Sequence, residues 1–378
     1  MNLSIMIKPA SSLCNLQCRY CFYHDIAENR EVASYGVMRE DVLDRLLARA
    51  FEALPPGRNQ LSLIFQGGEP MLAGLDFFRM LEDKLARGTP AGVEVSRSVQ
   101  TNGTLIDEDW AAFFARYGYL LGVSLDGPAQ IHNALRVDAH GKGSFSRAMA
   151  GISLLKKHGV AFNILTVVTA DVARHGQKVY GFLRKNGWDY LQFIPCIDPI
   201  AGRREPFSLT AEQYGRFLID TFEAYARERM QGVPVSVRWF DNLIELAAGY
   251  APESCGMTGA CACHFVVEAD GSVYPCDFYV DDRHRLGTVE AAGFREMFAS
   301  ETARSFVRES LEPAQKCAAC PWHPLCRGGC RRYRAGDATA QPGLSALCHA
   351  YEMFFSACGG RVMAMARMLS AGAPPMRG

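Results

Sequence analysis

The stretch Leu3-Ser4-Ile5-Met6-Ile7-Lys8-Pro9-Ala10-Ser11-Ser12-Leu13-Cys14-Asn15-Leu16-Gln17-Cys18-Arg19-Tyr20-Cys21 decides how the rest of the chain is read. Its opening residues are apolar and branched, as a strand requires. Three cysteines follow at the spacing Cys14-x3-Cys18-x2-Cys21. Two metal chemistries are open at this point. Zinc would take these thiolates and borrow a fourth ligand, with His24 at hand. A four-iron cube is normally held by four cysteines. Three would leave one iron free for a group that is not protein.

Further runs of branched and aromatic residues predict strands over 61–65, 93–99, 120–125, 162–169 and 190–194, after a first over 3–7. Between them lie helical faces, one made by Leu43, Leu46, Leu47 and Ala50, another by Phe77, Phe78, Leu81 and Leu85. Near-continuous apolar strands alternating with helices predict a parallel sheet covered on both faces. Six such units make a partial (β/α)6 barrel of the TIM type, whose chemistry belongs to the turns after the strands. The motifs obey that rule. Cys14–Cys21 follows the first strand, Gln66-Gly67-Gly68-Glu69-Pro70 the second, and Gln100-Thr101-Asn102-Gly103 the third, while Ser124-Leu125-Asp126-Gly127 ends the fourth. A long helix is predicted over 210–231. After Gly232-Val233-Pro234 the alternation stops and Gly and Cys rise. The expected division is therefore a barrel domain, 1–232, and a cysteine-rich domain, 233–378, with a frayed end over 371–378.

The chain of 378 residues is long enough for this arrangement. Lys+Arg and Asp+Glu each number 40, so no global positive field speaks for nucleic acid. No apolar run reaches the roughly 18 residues of a membrane span. The first residues lack the basic region of a signal peptide. The 14 cysteines are therefore expected in the reducing cytoplasm as metal ligands.

Ten of them fall between Cys255 and Cys358. They read Cys255-x5-Cys261, then Cys276, then Cys317-x2-Cys320-x5-Cys326-x3-Cys330, then Cys348. Eight ligands suffice for two fully held 4Fe–4S clusters, and Cys-x2-Cys suits structural zinc as well. Spacing alone does not say which cysteines share a site. Cys263, two residues from Cys261, could substitute for it, but on an extended segment it would point the opposite way, and Cys196 and Cys358 are expected as small buried hydrophobes. Asp277 directly follows Cys276, which fixes its place beside a ligand.

Taken together, the three-cysteine motif, the aromatic Tyr20 before its last cysteine and the turn Gly67-Gly68-Glu69-Pro70 resemble the radical S-adenosylmethionine (SAM) superfamily. The second cysteine set resembles its SPASM extension. The likeness narrows further. Ile7-Lys8-Pro9-Ala10-Ser11-Ser12, Cys21-Phe22-Tyr23-His24, Phe65-Gln66-Gly67-Gly68-Glu69-Pro70, Gln100-Thr101-Asn102-Gly103-Thr104 and Val273-Tyr274-Pro275-Cys276-Asp277-Phe278-Tyr279 look like the anaerobic sulfatase-maturating enzymes.

That resemblance implies three 4Fe–4S clusters. Cys14, Cys18 and Cys21 hold the one that binds SAM. Cys255, Cys261, Cys276 and Cys330 hold a nearer auxiliary cluster, and Cys317, Cys320, Cys326 and Cys348 a farther one. It implies that the turn at Gly68 binds the amino group of SAM, that Ser124 and Arg136 meet its ribose and carboxylate, and that Tyr20 and Ile197 line its adenine. The implied reaction converts one Cys or Ser of an unfolded or nascent sulfatase to Cα-formylglycine. A 5′-deoxyadenosyl radical takes a Cβ hydrogen, Asp277 takes the thiol or hydroxyl proton, and an electron leaves. Tyr23, Gln66, Thr101 and Asn102 are candidates for holding the peptide backbone, and a flavodoxin- or ferredoxin-type protein is the expected reductant. Two rivals are another peptide maturase, forming thioether or carbon–carbon crosslinks, and an iron–sulfur electron carrier. The first strand begins by Leu3, which leaves no room before it for the peptide-recognition domain such maturases often carry. Whether the target is Cys or Ser stays open.

Overall fold

The computed structural model describes residues 1–196, 198, 204–312, 314–334 and 343–371. Two compact units are present, each built from separate stretches. The first takes Met1–Ser124, Asn133–Phe162 and Cys263–Phe306, and the second takes Leu125–His132, Asn163–Ala262 and Val307–Gly378. Both units thus draw on residues from either side of position 233.

In the first unit β1 (Asn2–Ile7), β2 (Asn59–Phe65), β3 (Val93–Thr101) and β4 (Leu120–Ser124) lie parallel in that order, with Ile7 opposite Phe65 and Phe65 opposite Val99. Helices Glu40–Ala53, Leu75–Gly88 and Glu108–Tyr117 join them. The expected faces are the buried ones: Leu43, Leu46, Leu47 and Ala50 in one helix, Phe77, Phe78, Leu81 and Leu85 in the next. Phe78 meets Phe65 at 5.1 Å and Trp110 at 5.3 Å, edge to face. The helix from Glu108 is closed at both ends. The Asp107 side chain accepts from the Trp110 N–H, and Gly118 takes the left-handed cap at φ 66°.

Only one face of this sheet is sealed. Leu61, Leu63 and Phe65 have no exposed surface, whereas Gln60, Ser62 and Ile64 between them keep some, as do Ser4, Glu94 and Ser96. The strands alternate because half their residues lie on a face that stays partly accessible. Complete cover on both faces, the sequence expectation, does not hold here.

In the second unit β5 (Phe162–Val168), β6 (Tyr190–Pro195) and β7 (Ser236–Val237) are parallel neighbours. Helix Ala211–Met230 starts with a reciprocal cap between Thr210 and Gln213. The final helix, Cys348–Ser370, packs on it, with Phe354 set 5.3 Å from Phe222.

Three short strands from the cysteine-rich region return to the first unit: β8 (Phe265–Val267), β9 (Ser272–Tyr274) and β10 (Gly287–Thr288). β8 pairs parallel with β1, and β9 and β10 follow antiparallel. The sheet of the first unit thus reads β10-β9-β8-β1-β2-β3-β4. This extension carries Cys276 and Asp277 to the residues that follow β1 and β2.

Candidate active site

The loop from Ala10 to Cys21 has almost no regular structure, so its backbone is satisfied from outside. Gln17 N–H donates to Val137 O at 2.7 Å and Arg19 N–H to Leu135 O at 3.0 Å. From β2 come Gly68 N–H to Ser11 O, 2.8 Å, and Glu69 N–H to Leu13 O, 2.7 Å. A Cβ on Gly68 would stand 2.1 Å from Leu13 O, inside any allowed contact. The close approach that this glycine permits is, in the first place, to the cysteine loop itself.

Glu69 is fully buried and is the knot of this corner. Its carboxylate accepts from Met71 N–H (3.2 Å), Thr101 Oγ1 (2.8 Å) and Asn102 N–H (2.8 Å). Burial nevertheless pushes its carboxyl up to about 7. Asn102 donates to Asn15 Oδ1 at 2.8 Å and Asn15 to Thr104 Oγ1 at 2.9 Å, so the third strand's turn braces the cysteine loop. Cys14 lies at the surface as a residue, yet its sulfur is sunk among loop atoms. Desolvation, with the charges of Glu69, Cys18 and Cys21, pushes its thiol up to about 12. Three thiols that repel one another's charge are converging on one place. Beyond them, the Arg136 guanidinium lies 5.3 Å from the centre of the Tyr20 ring, and Ser124 Oγ accepts from Gln100 Nε2 at 3.1 Å. Ile197 lies outside the described residues.

Asp277 stands on the turn after Cys276 with its side chain 13% exposed. Lys8 Nζ donates to Oδ1 at 2.5 Å and Gln66 Nε2 to Oδ2 at 2.7 Å. The Lys8 side chain has no exposed surface, and its ammonium also sits 3.6 Å from the centre of the Tyr23 ring. Tyr23 donates to Glu268, and Arg30 Nη1 pairs with the same Glu268 oxygen at 2.8 Å. Burial, with the Glu268 charge, raises the Tyr23 phenol well above its ordinary value, so it stays a donor. Helix Phe22–Glu28, which begins straight after Cys21, packs on the Asp277 turn. Phe22 meets Phe278 edge to face at 4.9 Å, and Tyr23 and Ile26 are buried with Val266, Tyr274 and Val280. One apolar cluster therefore fixes the last cysteine of the amino-terminal motif relative to the carboxylate.

No three His, Cys, Asp or Glu among the described residues are poised round a single metal ion. The cysteines of the second unit are instead grouped by mutual charge. Cys330 feels Cys255 and Cys261, and Cys326 feels Cys317, Cys320 and Cys348. Desolvation first, and then these neighbours, push both Cys326 and Cys330 up to about 11. Sets of this kind suit an iron–sulfur cube, which takes its thiolates at separate corners. Cys276 belongs to the first unit. Cys263 answers to burial alone, and Cys196 and Cys358 are buried.

Residues 9–174 match the radical SAM superfamily and residues 255–321 match an iron–sulfur cluster-binding domain, SPASM. A cysteine-type anaerobic sulfatase-maturating enzyme of Clostridium novyi (strain NT) is 44% identical over 94% of both chains. The chain belongs to the anaerobic sulfatase-maturating enzymes. As a member of that family it is a radical SAM oxidoreductase, an α/β partial barrel with a SPASM extension. A serine-type member from Klebsiella aerogenes is 32% identical over 93% of this chain and 84% of that one. The solved structure of native anSMEcpe with bound AdoMet superposes with a TM-score of 0.91 at 42% identity, covering 97% of this chain and all of that one. A second structure of that protein holds a peptide as well.

Of the four residues expected to hold peptide in this sulfatase-maturating enzyme, Gln66 reaches Asp277 and keeps some exposure. Tyr23, Thr101 and Asn102 are 2%, 2% and 9% exposed, their polar groups spent on Glu268, Glu69 and Asn15. Sequence reasoning gave no role to Lys8, Arg30 or Glu268. A lone Lys after a strand reads as a solvated charge, and its partner is 269 residues away. The run Ile7-Lys8-Pro9, with a lysine between a strand and a proline, was the available signal.

Proposed function

We propose that this enzyme oxidises one cysteine of an extended sulfatase segment to Cα-formylglycine, with Asp277 as the base. The observation that carries the reading is a nearly buried carboxylate, held from both sides by Lys8 and Gln66 and tied by one apolar cluster to Cys21. Cysteine is favoured over serine by the cysteine-type relative at 44% identity against the serine-type at 32%.

Cys14, Cys18 and Cys21 would hold a 4Fe–4S cluster, with Tyr20, Gly68, Ser124 and Arg136 around SAM. Two more clusters would sit in the auxiliary sets, one on Cys317, Cys320, Cys326 and Cys348, the other taking in Cys255, Cys261 and Cys330. When bound, the first cluster and SAM together supply a 5′-deoxyadenosyl radical that takes one hydrogen atom from the target Cβ. Asp277 accepts the proton of the thiol, and one electron leaves, for which the auxiliary clusters would be the acceptor. The target has then lost two hydrogens, giving a thioaldehyde that water converts to the aldehyde with release of hydrogen sulfide; serine would give the aldehyde directly. Losing the proton makes the carbon radical a stronger reductant, which is why a fixed base serves this step. Gln66 faces the substrate, while Tyr23, Thr101 and Asn102 act at one remove by bracing Lys8 and the cysteine loop.

The segment would bind unfolded, since an extended backbone brings amides that need partners. A flavodoxin- or ferredoxin-type protein would supply the reducing electron in the cytoplasm, where free thiols persist. No described helix is long and apolar enough to cross a membrane. The division into 1–232 and 233–378 is proposed as one of functional modules and not of compact units; the two family matches, which fall on either side of it, support it. The test is anaerobic incubation of sulfatase-motif peptides, in Cys and Ser versions, with SAM and dithionite, followed by mass spectrometry. An aldehyde on the Cys peptide is expected; a crosslinked product, or 5′-deoxyadenosine without any peptide change, would overturn the reading.

A further inference from the structure

The second unit carries a cavity of about 480 Å³. Its walls are residues 258–260 on one side and His323, Pro324, Arg327 and Arg334 on another. Residues 258–260 lie between Cys255 and Cys261, and the short helix His323–Cys326 carries Cys326. The cavity is therefore walled by residues from the segments that carry both auxiliary cysteine sets.

Its charge is one-sided. Residues 314–334 contain five Lys or Arg and no Asp or Glu. Lys316 is paired with Glu352 and Arg331 with Glu309, so neither is free to meet another anion. Arg334 spends its hydrogen bonds on the carbonyls of Ser310, Arg327, Gly328 and Gly329 and keeps its charge. Arg327 donates through Nε to Pro324 O at 3.2 Å, and its terminal nitrogens have no hydrogen-bond partner among the described residues.

The backbone adds an independent observation. Arg327 takes φ 50° at the helix end, one of two non-glycine residues with positive φ among those described. Glycine is the ordinary occupant of that position, and Gly328 and Gly329 follow at φ 77° and 68°. Facing it, Gly259 at φ 88° leaves room for the Arg327 stem, whose Cβ would lie 3.3 Å from a Cβ there. An arginine at this spot carries a backbone cost that glycine would not.

We propose that this cavity is the docking point for the acidic surface of a one-electron carrier protein, with Arg327 meeting a carboxylate of the carrier. The inference rests on the reaction proposed above, in which each turnover takes in one electron and releases one. A reduced carrier gives up an electron for SAM cleavage. The oxidised carrier regains one as the target side chain is oxidised, and its net change is zero. The competing account is that the arginines only offset the charge of nearby thiolates.

The two accounts part in an experiment on the reconstituted holoenzyme. 5′-Deoxyadenosine and aldehyde are measured while a reduced bacterial flavodoxin is titrated, and again with dithionite, which needs no docking site. The variants are Arg327→Gly, which suits the local φ, and Arg327→Lys, which keeps the charge. For Arg327→Gly the flavodoxin concentration at half-maximal rate should rise about tenfold at low salt, with a smaller gap at high salt. Arg327→Lys should stay near wild type, and dithionite-driven rates and iron content should not change. An unaltered flavodoxin dependence overturns the proposal. So does a parallel loss of iron or of the dithionite rate, which would assign the arginine to the cysteine sets alone. Peptide oxidation by the wild type with dithionite tests the reaction separately, whichever way the titration falls.

Discussion

Lys8 has no exposed surface, and an ammonium without water must find a carboxylate and a π face. It finds Asp277 and Tyr23. Removing one member of such a pair typically costs about 3–5 kcal/mol, because the other charge is left buried. Lys8→Met should therefore lower stability and let Asp277 drift. Both Lys8→Met and Asp277→Asn should still cleave SAM, scored as 5′-deoxyadenosine. Aldehyde formed per 5′-deoxyadenosine should fall by roughly 10²–10⁴-fold in Asp277→Asn and by less in Lys8→Met, where the carboxylate remains. An unchanged ratio in Asp277→Asn would remove it as the base. Glu69 makes a second residue-scale case. Its carboxyl is raised by burial from 4.5 to about 7, so the folded chain holds that proton more tightly than the unfolded chain. Stability from this group is highest below about pH 4.5, is lost as pH rises through about 7 and is level above, a total of about 3 kcal/mol. Urea midpoints without SAM should show the wild type losing ground to Glu69→Gln between about pH 5 and pH 7. A constant gap would mean that Glu69 titrates ordinarily.

The cysteine loop has few hydrogen bonds of its own, such as Leu13 N–H to Ala10 O and Cys21 N–H to Cys18 O, and is shaped by the turns after β2 and β3. Gly68→Ala would drive a methyl to 2.1 Å from the Leu13 carbonyl, and backbone on backbone has no rotamer to yield. The loop must shift. The variant should lose most SAM cleavage and the iron bound at the amino-terminal site, measured by iron content, with the auxiliary sites intact; full activity would show that the turn is not a template for the loop. The β1–β6 elements were legible in sequence because each is a run of branched residues flanked by turns, and the structure shifts their ends by no more than two residues. The cysteine motif and the Gly67-Gly68 turn were legible because their chemistry is local. The β8–β9 hairpin was not. Its strands are three residues each, too short for a period, and their place beside β1 is set by a pairing of Ile5 with Phe265 across most of the chain. Lys8, Arg30 and Glu268 were hidden for the same reason, since a buried ion pair made at long range looks like surface charge in sequence. Thr101 and Asn102 were visible as polar residues at a strand end, but only the structure gives the direction they face, which is inward to Glu69 and Asn15.

Across the whole molecule, charge balances to zero while the cysteines fall into separate groups within two units. Division of labour follows from that grouping. In the reading proposed above, the amino-terminal group of Cys14, Cys18 and Cys21 is the one whose cluster would keep a coordination position for SAM. The four of Cys317, Cys320, Cys326 and Cys348 would fill every corner of a cube in that reading and leave none to give. Iron counting separates these roles. Fully reconstituted enzyme should hold about twelve irons for three four-iron cubes. Replacing Cys14, Cys18 and Cys21 together with Ala should remove about four irons and all 5′-deoxyadenosine formation. Replacing Cys317 and Cys320 should also remove about four, yet SAM should still be cleaved, with aldehyde yield falling because the substrate electron has lost part of its exit. If the second variant stopped cleaving SAM while keeping the other irons, the auxiliary cysteines would have to act on the radical-forming step itself, and the separation of hydrogen abstraction from electron removal would be wrong.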